Sequence, residues 1–190
     1  MIKINYISNN NKEMLDAARN TVNKPSALEP PSRSWLKKLY LSEHSPIRKK
    51  MIDWTWKGIK SWISVHFVRH SKNNTEHFVT TQRDDRTGKN RDSLIQSVPV
   101  NHNCIANAQS IISISRKRLC KQAHPETTKA WQSFLDMLKT KEPELVSVCV
   151  PECIYRNGLC PEFKTCGYNK TEEFRLKLYD YIYIIKDQVS

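Results

Sequence analysis

The sequence predicts an α+β fold with a cysteine-rich loop and a C-terminal helix. Apolar residues alternate in two short stretches, 2–6 and 52–56, and this period of two is typical of strands. Longer stretches repeat their apolar residues at helical spacing, which predicts amphipathic helices. Residues 149–166 hold four of the six cysteines among prolines and a glycine, a composition typical of a loop.

The N-terminal elements follow from local signals. Residues 11–20 predict a short helix, and 23–32 contain three prolines that predict a loop. Ser34 is placed to cap a helix over 35–41. Gly58 is expected to end the second strand. The chain therefore alternates strand, helix, helix and strand over its first third.

A further amphipathic helix is predicted over 59–67, before a long polar segment. Its apolar positions follow the spacing i, i+3, i+4, i+7 and i+8: Ile59, Trp62, Ile63, His66 and Phe67. His66 lies on this apolar stripe and is expected to be a packed, hydrogen-bonded core residue. His70, at the helix end, either complements the helix dipole or binds a ligand. The polar segment 71–101 predicts mostly loop.

Three helices are predicted in the C-terminal half. Residues 103–122 and 126–139 carry helical stripes, and Thr171 is placed to cap a last helix with Phe174 on its apolar face. We expect one globular unit, in which 1–145 form the main domain. The remaining residues, 146–190, add the cysteine-rich loop and the last helix.

The charge of the chain favours anionic partners. Its 190 residues carry a net charge of +12, which suits nucleotides or nucleic acid. Uncharged apolar runs are too short to cross a bilayer, and the N-terminus lacks the apolar core of a signal peptide. We therefore expect a cytoplasmic protein that has no membrane partner.

Groups that bind phosphates and bases follow the helix over 59–67. Arg69 and His70 end that helix, and Glu76, Thr81 and Arg83 follow within a short distance. A guanidinium fork suits phosphate or a pyrimidine carbonyl, and a threonine hydroxyl can donate to a phosphate oxygen. These residues predict a nucleotide site, whereas the simpler alternative is a surface loop with ordinary salt bridges.

The order of these motifs resembles the ThyX class of flavin-dependent thymidylate synthases. The resemblance covers residues 12 to about 140. Its motifs are the His44–Pro46 turn, the Arg69-His70 pair at a helix end, the Thr81-x-Arg83 pair, and Asn107 with Arg118 eleven residues later. The pattern also resembles shortened, phage-borne members of the family, and a phage-encoded protein would act in the host cytoplasm.

The resemblance implies a fold, a reaction and residue roles, with 1–145 as a nucleotide- and flavin-binding domain. The fold would pack helices on a small antiparallel sheet, and the enzyme would be a homotetramer with sites between subunits. A one-carbon unit would pass from methylenetetrahydrofolate to dUMP, with FAD as cofactor and NADPH as reductant. The residues implied for flavin binding are His44, Ser45, Arg69, His70 and Asn107; those implied for dUMP binding are Glu76, Thr81, Arg83 and Arg118, of which Arg118 is also catalytic.

The sequence also departs from the family pattern. Ser71 stands where the family has a third basic residue, and Arg48 replaces an acidic residue. The family's Asn-Ala-Arg motif reads Asn107-Ala108-Gln109 here. Two alternatives therefore stay open. One is a ThyX-derived protein that binds a nucleotide or nucleic acid without flavin chemistry. The other is one-carbon transfer to a different pyrimidine nucleotide.

The cysteine-rich segment has the composition of a metal-binding loop. Cys149, Cys153, Cys160 and Cys166 follow the spacing C-x3-C-x6-C-x5-C. Four thiolates can bind zinc or an iron–sulfur cluster. The alternatives are free thiols in an irregular loop, or a disulfide pair. The ThyX pattern has no counterpart of this segment.

Overall fold

The fold centres on one antiparallel sheet of four strands in the order β1-β2-β4-β3. The computed structural model describes residues 1–71 and 75–186, the last three by their backbone alone. The strands are β1 (Ile2–Ile7), β2 (Met51–Lys60), β3 (Thr75–Val79) and β4 (Pro99–Asn107). β2 and β4 are the central strands, and every neighbouring pair is antiparallel.

Helices account for most of the rest of the described chain. Short 3₁₀ turns lie at Ser45–Lys49, Arg91–Ser93 and Tyr168–Lys170. The α-helices are α1 (Asn11–Asn20), α2 (Arg33–Ser42), α3 (Ser61–Val68), α4 (Asp84–Thr87), α5 (Ala108–Arg118), α6 (Pro125–Lys139), α7 (Pro143–Ser147), α8 (Glu152–Tyr155) and α9 (Glu172–Lys186). The structure thus confirms the predicted α+β class, with helices on a small antiparallel sheet.

The core is an aromatic layer between the sheet and helices α3 and α6. Trp54 of β2 stacks on Phe134 of α6 with ring centroids 4.1 Å apart. Trp56 stacks on Phe67 of α3 at 4.5 Å and donates a hydrogen bond to the carbonyl oxygen of Ala130. Stacked rings contribute beyond the area they bury. The layer therefore fixes α3, whose end carries Arg69 and His70, against the sheet.

Several predicted elements are confirmed with small changes in their bounds. The first strand and the helices over 11–20 and 126–139 are present as β1, α1 and α6. Thr171 accepts a hydrogen bond from the backbone N–H of Phe174 at 3.2 Å, so it caps α9 as predicted. At α2 the cap is Ser32, which accepts from Trp35, and the prediction of Ser34 was wrong.

Gly58 does not end the second strand. β2 continues to Lys60, and its register with β4 shifts between Trp56 and Ile59. Gly58 lies inside this irregularity with φ at +68°, a conformation that glycine adopts without a Cβ clash. A bulge here re-aims the end of the strand. The predicted helix over 59–67 consequently begins at Ser61, and Ile59 belongs to β2.

Two predictions in the middle of the chain were wrong. The segment 71–101, predicted as mostly loop, contains β3, α4 and the first residues of β4. The segment predicted as a helix over 103–122 is divided at Asn107 between β4 and α5. In β4, Val100, His102 and Cys104 are buried while their neighbours are more exposed. This period of two is a strand pattern, and it places His102 in the core.

The C-terminal segment adds a second, smaller apolar cluster. Ile154, Tyr168, Phe174 and Tyr181 are buried together, with Leu41 of α2 packed against them. Helix α8 contacts α5, and α9 contacts α2 and α8. The part of the chain with coordinates contains no helix long and apolar enough to cross a membrane.

Candidate functional site

Arg118 occupies the last position of α5 and reaches across to α3. Its Nη2 donates a hydrogen bond to the carbonyl oxygen of His66 at 2.7 Å. Its own carbonyl oxygen accepts from the Thr128 hydroxyl at 2.9 Å. Burial, and then the nearby charge of Arg69, lower the pKa of Arg118. The structure therefore holds this guanidinium in place and brings Arg69 close to it.

Arg118 lacks an acidic partner among the residues that the structure describes. No carboxylate in these ranges lies within salt-bridge distance of Arg118 or Arg69, whereas Arg116 pairs with Glu43. The Nε of Arg118 is buried and has no hydrogen-bond partner in the same ranges. A partly buried cation with a spare donor is costly unless an anion or a carbonyl oxygen engages it. The arrangement suits a ligand that carries such an oxygen.

His70 is a neutral imidazole beside this pair. Burial, followed by the charge of Arg118, lowers the pKa of His70 to about 4. Its Nε2 is buried without a hydrogen-bond partner among the described residues. A neutral imidazole can offer one donor and one acceptor. His70 can therefore bind the polar edge of a ring without adding charge, which favours ligand binding over a dipole-complementing role.

A cavity of about 480 Å³ opens beside α3. Trp62, His66 and Arg69 line one side, and Gln82 and Arg91 from the following polar segment line the other. Its size is within the range of ligand pockets. The Nε2 of Gln82 is buried without a partner in the described ranges. Gln82 and Arg91 are absent from the residues predicted from the sequence, because no motif distinguishes them from the rest of that segment.

His66 is hydrogen-bonded, as predicted, but it is half-buried and lines the cavity, so the prediction of a core residue was wrong. Its Nδ1 lies 2.9 Å from the hydroxyl of Thr127 on α6. Burial is the main cause of its lowered pKa, and the charges of Arg118 and Arg69 add to it. His66 thus contributes a backbone carbonyl to Arg118 and a ring to the wall of the cavity.

A buried histidine and a half-buried one lie side by side on adjacent strands. The Nδ1 of His77 on β3 is 2.9 Å from the Nε2 of His102 on β4. Burial lowers the pKa of both rings, that of His102 to about 4. The charge of His77 also contributes to the low pKa of His70. The sequence analysis missed this pair; the alternation of buried residues along β4 is the signal that reveals it.

The residues predicted to bind the nucleotide lie on β3 and in the segment after it. Glu76 is exposed on β3, opposite Ile105 of β4. The hydroxyl of Thr81 accepts from the backbone N–H of Arg83 at 3.2 Å. Arg83 forms two hydrogen bonds to Asp85, at 2.9 and 2.8 Å. In this structure Asp85 therefore occupies the fork that was predicted to bind phosphate.

The residues predicted to bind flavin lie in separate parts of the structure. Asn107 is buried and caps α5, where its Oδ1 accepts from the N–H of Ser110 at 2.9 Å. His44 and Ser45 are exposed in the turn after α2, and His44 lines a different cavity together with Trp35. No described contact joins His44 to Arg69 or His70. One chain therefore gathers Arg69, His70 and Arg118, and it leaves the turn at His44 apart.

The four cysteines predicted as metal ligands are not gathered as a set. Cys149 is buried, and its thiol donates to the carbonyl oxygen of Leu145 at 3.4 Å. The other three line a small cavity with Cys120, which the prediction omitted. Where the chain is described, no group of three or more His, Cys, Asp or Glu side chains is arranged so that it could hold a metal ion.

Comparisons with solved structures identify the fold of this chain. No family model matches the chain, and no characterised protein matches its sequence. Among solved structures, it resembles the flavin-dependent thymidylate synthase ThyX from Helicobacter pylori complexed with FAD and dUMP. The TM-score is 0.64 at 10% identity, and the alignment covers 78% of this chain and 99% of the other. This chain has the ThyX fold.

Two further structures agree with this assignment. A second ThyX structure from Helicobacter pylori, with FAD and dUMP, gives a TM-score of 0.63 at 10% identity, covering 78% of this chain and 98% of the other. The UMP/dUMP methylase PolB from Streptomyces cacaoi, bound with 5-Br dUMP, gives 0.62 at 12% identity, covering 78% and 93%. The predicted resemblance to ThyX is confirmed at the level of the fold.

Proposed function

We propose that this protein is a ThyX-like enzyme that transfers a one-carbon unit to dUMP or a closely related pyrimidine nucleotide. The observation that carries the proposal is Arg118: a half-buried guanidinium, fixed by the carbonyl of His66, with a buried Nε and no carboxylate partner in the described ranges. The relatives in fold support it, since two are complexed with FAD and dUMP and a third is a UMP/dUMP methylase.

Arg118 binds the uracil ring in this proposal. Its free donors suit a ring carbonyl oxygen, where negative charge develops when the ring carbon attacks. Because the hydrogen bond to His66 fixes the guanidinium beforehand, little reorganisation is needed as the charge forms. Arg69 adds positive potential at the same place. No protein nucleophile is required in this arrangement.

Glu76, Thr81 and Arg83 bind the rest of the nucleotide in this proposal. The hydroxyl of Thr81 and the guanidinium of Arg83 are suited to a phosphate. Asp85 holds Arg83 through an exposed ion pair, and such pairs contribute little to stability. The phosphate therefore has to displace a weak partner, and Asp85 becomes a determinant of nucleotide affinity.

Arg69, His70 and Asn107 fit a flavin. The unpartnered Nε2 of His70 is a hydrogen-bonding group for the polar edge of the ring, and the neutral imidazole suits a neutral oxidised flavin. FAD would supply the hydride, with methylenetetrahydrofolate as carbon donor and NADPH as reductant. His44 and Ser45 lie apart from His70, so we propose that they complete the site of a neighbouring subunit in a homotetramer.

The proposal is tested by the spectrum of the freshly purified protein, before and after FAD is added. We expect a flavin band, FAD among the molecules released on denaturation, and a shift of that band when dUMP is added. His70→Ala should weaken FAD retention, whereas Arg175→Ala, on the exposed face of α9, should not. A protein that neither contains nor takes up FAD contradicts the flavin-dependent reaction.

A second candidate is a ThyX-derived protein that binds a nucleotide or nucleic acid without flavin chemistry. The exposed basic residues of the segment after β3 favour it, namely Arg86, Lys89 and Arg91, together with the net charge of +12. In that case dUMP or single-stranded nucleic acid binds with a steep salt dependence, and no flavin is taken up. Flavin uptake therefore separates the two candidates.

A further inference from the structure

Four thiols from two distant parts of the chain line one small cavity. Cys120 follows the end of α5, Cys153 lies in α8, and Cys160 and Cys166 lie in the loop between α8 and α9. Side-chain hydrogen bonds hold that loop in place: Gln122 donates to the carbonyl oxygen of Lys164. The four cysteines therefore line one contact between the end of α5 and the C-terminal segment.

The cavity that the four cysteines line is small. The cavity measures about 10 Å³, close to the minimum that one water molecule needs. An iron–sulfur cluster needs room for at least two irons and their bridging sulfides. One metal ion coordinated by thiolates needs none of that extra volume. The size of the cavity therefore favours a single ion over a cluster.

Charged side chains line the same cavity as the four cysteines. Lys121 provides a positive charge there, and Glu152 and Glu162 provide negative charges.

We propose that Cys120, Cys153, Cys160 and Cys166 bind one zinc ion as a structural site. As described, these side chains do not form a group that could hold a metal ion, so the proposal requires the four thiols to turn towards a common centre when zinc binds. Each thiol releases its proton to solvent and forms one Zn–S bond, so four protons leave and no electron is transferred. Four thiolates complete the tetrahedral preference of zinc and leave no position open for substrate.

The site ties the C-terminal segment to the end of α5. Cys120 is two residues from Arg118, so a metal there fixes the last turn of the helix that presents this arginine. Zinc binding to such a site contributes folding free energy directly. Removing the metal is expected to loosen the loop over 156–170 without requiring any change in the sheet.

The test is metal analysis of the intact protein, purified without chelators. We expect about one zinc per chain and none in Cys153→Ser or Cys166→Ser. Cys166 is exposed, so its substitution removes a ligand without disturbing the core. The matched control is Cys149→Ala, which changes a neighbouring cysteine outside the cavity and should keep the zinc. Folding of each variant is checked by circular dichroism.

Cobalt gives a second readout that does not depend on activity. Cobalt(II) bound by four thiolates absorbs intensely in the visible range and in the near ultraviolet, and Cys166→Ser should weaken these bands. Zinc retained by Cys166→Ser, zinc lost from Cys149→Ala, or iron in place of zinc would overturn the proposal. A metal-free protein with a disulfide between two of the four cysteines would overturn it as well.

Discussion

Arg118 and His66 join the end of α5 to α3 by a 2.7 Å hydrogen bond from Nη2 to the backbone carbonyl oxygen. The acceptor is a main-chain atom, so the bond does not depend on the protonation of the imidazole. It holds the guanidinium close to Arg69 while the Nε stays buried without a partner among the described residues. Two elements far apart in sequence thereby build one anion- or carbonyl-binding position.

Substitution of Arg118 tests that position. We expect Arg118→Lys to bind dUMP about 10- to 100-fold more weakly, because a hydrogen bond to a charged group contributes roughly 1.5–3 kcal/mol and lysine lacks the planar fork. Isothermal titration calorimetry provides the measurement. Arg175→Lys, on the exposed face of α9, is the matched control. Equal affinities in a folded Arg118→Lys variant would remove Arg118 from the site.

Substitution of Asp85, the partner of Arg83, is expected to strengthen dUMP binding rather than weaken it. Both side chains are more than half exposed, so Asp85→Asn should change the free energy of unfolding by less than about 1 kcal/mol. We expect it to tighten dUMP binding a few-fold, because Arg83 no longer has to leave a carboxylate before it meets the phosphate. Asp92→Asn, an exposed neighbour, is the control, and Arg83→Ala should weaken binding. Unchanged or weaker binding by Asp85→Asn argues against a phosphate contact at Arg83.

The buried His102 predicts a loss of stability in acid. His102 is not exposed, and its pKa is lowered from 6.5 to about 4 by burial. The unfolded chain takes up its proton first as the pH falls, so stability declines from about pH 6.5 and the loss is complete below about pH 4. Between pH 7.5 and 4.5 the titration of His102 should lower the free energy of unfolding by about 2 to 3 kcal/mol.

Urea unfolding at those two pH values provides the check. His102→Gln removes the titrating group, so the decline in unfolding free energy over this interval should be smaller in the variant by about that amount. The comparison uses the slope with pH, so a general loss of packing in the variant does not affect it. The prediction fails when wild type and variant lose the same free energy over the interval.

Lys50 forms a buried ion pair whose rupture is costly. Its Nζ donates to Glu142 at 2.9 Å and to the carbonyl oxygen of Ser8 at 3.0 Å, and its side chain is 1% exposed. We expect Lys50→Met to lower the free energy of unfolding by about 3 kcal/mol, because Glu142 is left as an uncompensated, mostly buried charge. The double variant Lys50→Met/Glu142→Leu should recover much of that loss. A double variant less stable than Lys50→Met in urea unfolding contradicts this explanation.

Some helices could be predicted from the sequence because the signals that define them lie within a few residues. The period of 3.6 in 126–139 and the cap at Thr171 predicted α6 and the start of α9, because amphipathic spacing and capping act within a few residues. The motif order also predicted the ThyX fold and the meeting of Arg69, His70 and Arg118. The helix predictions depend on residues close in sequence, and the fold prediction depends on the order and spacing of the motifs.

Other features depended on long-range contacts. β4 and α5 follow each other without a loop, so their apolar residues merged into one apparent helix until strand pairing separated them at Asn107. Gly58 was expected to stop a strand, but pairing with β4 continues past it as a bulge. Cys120 was omitted from the cysteine set because only the packing of the loop against α5 brings it to the others.

The central claim is that this chain transfers a one-carbon unit to a uracil nucleotide, and the nucleotide product tests it most directly. Purified protein is incubated with FAD, NADPH, methylenetetrahydrofolate and dUMP, and the nucleotide is identified by mass spectrometry. We expect dUMP to gain a one-carbon group in wild type and to remain unmodified with Arg118→Ala. Recovery of unmodified dUMP from protein that binds both FAD and dUMP would contradict the claim.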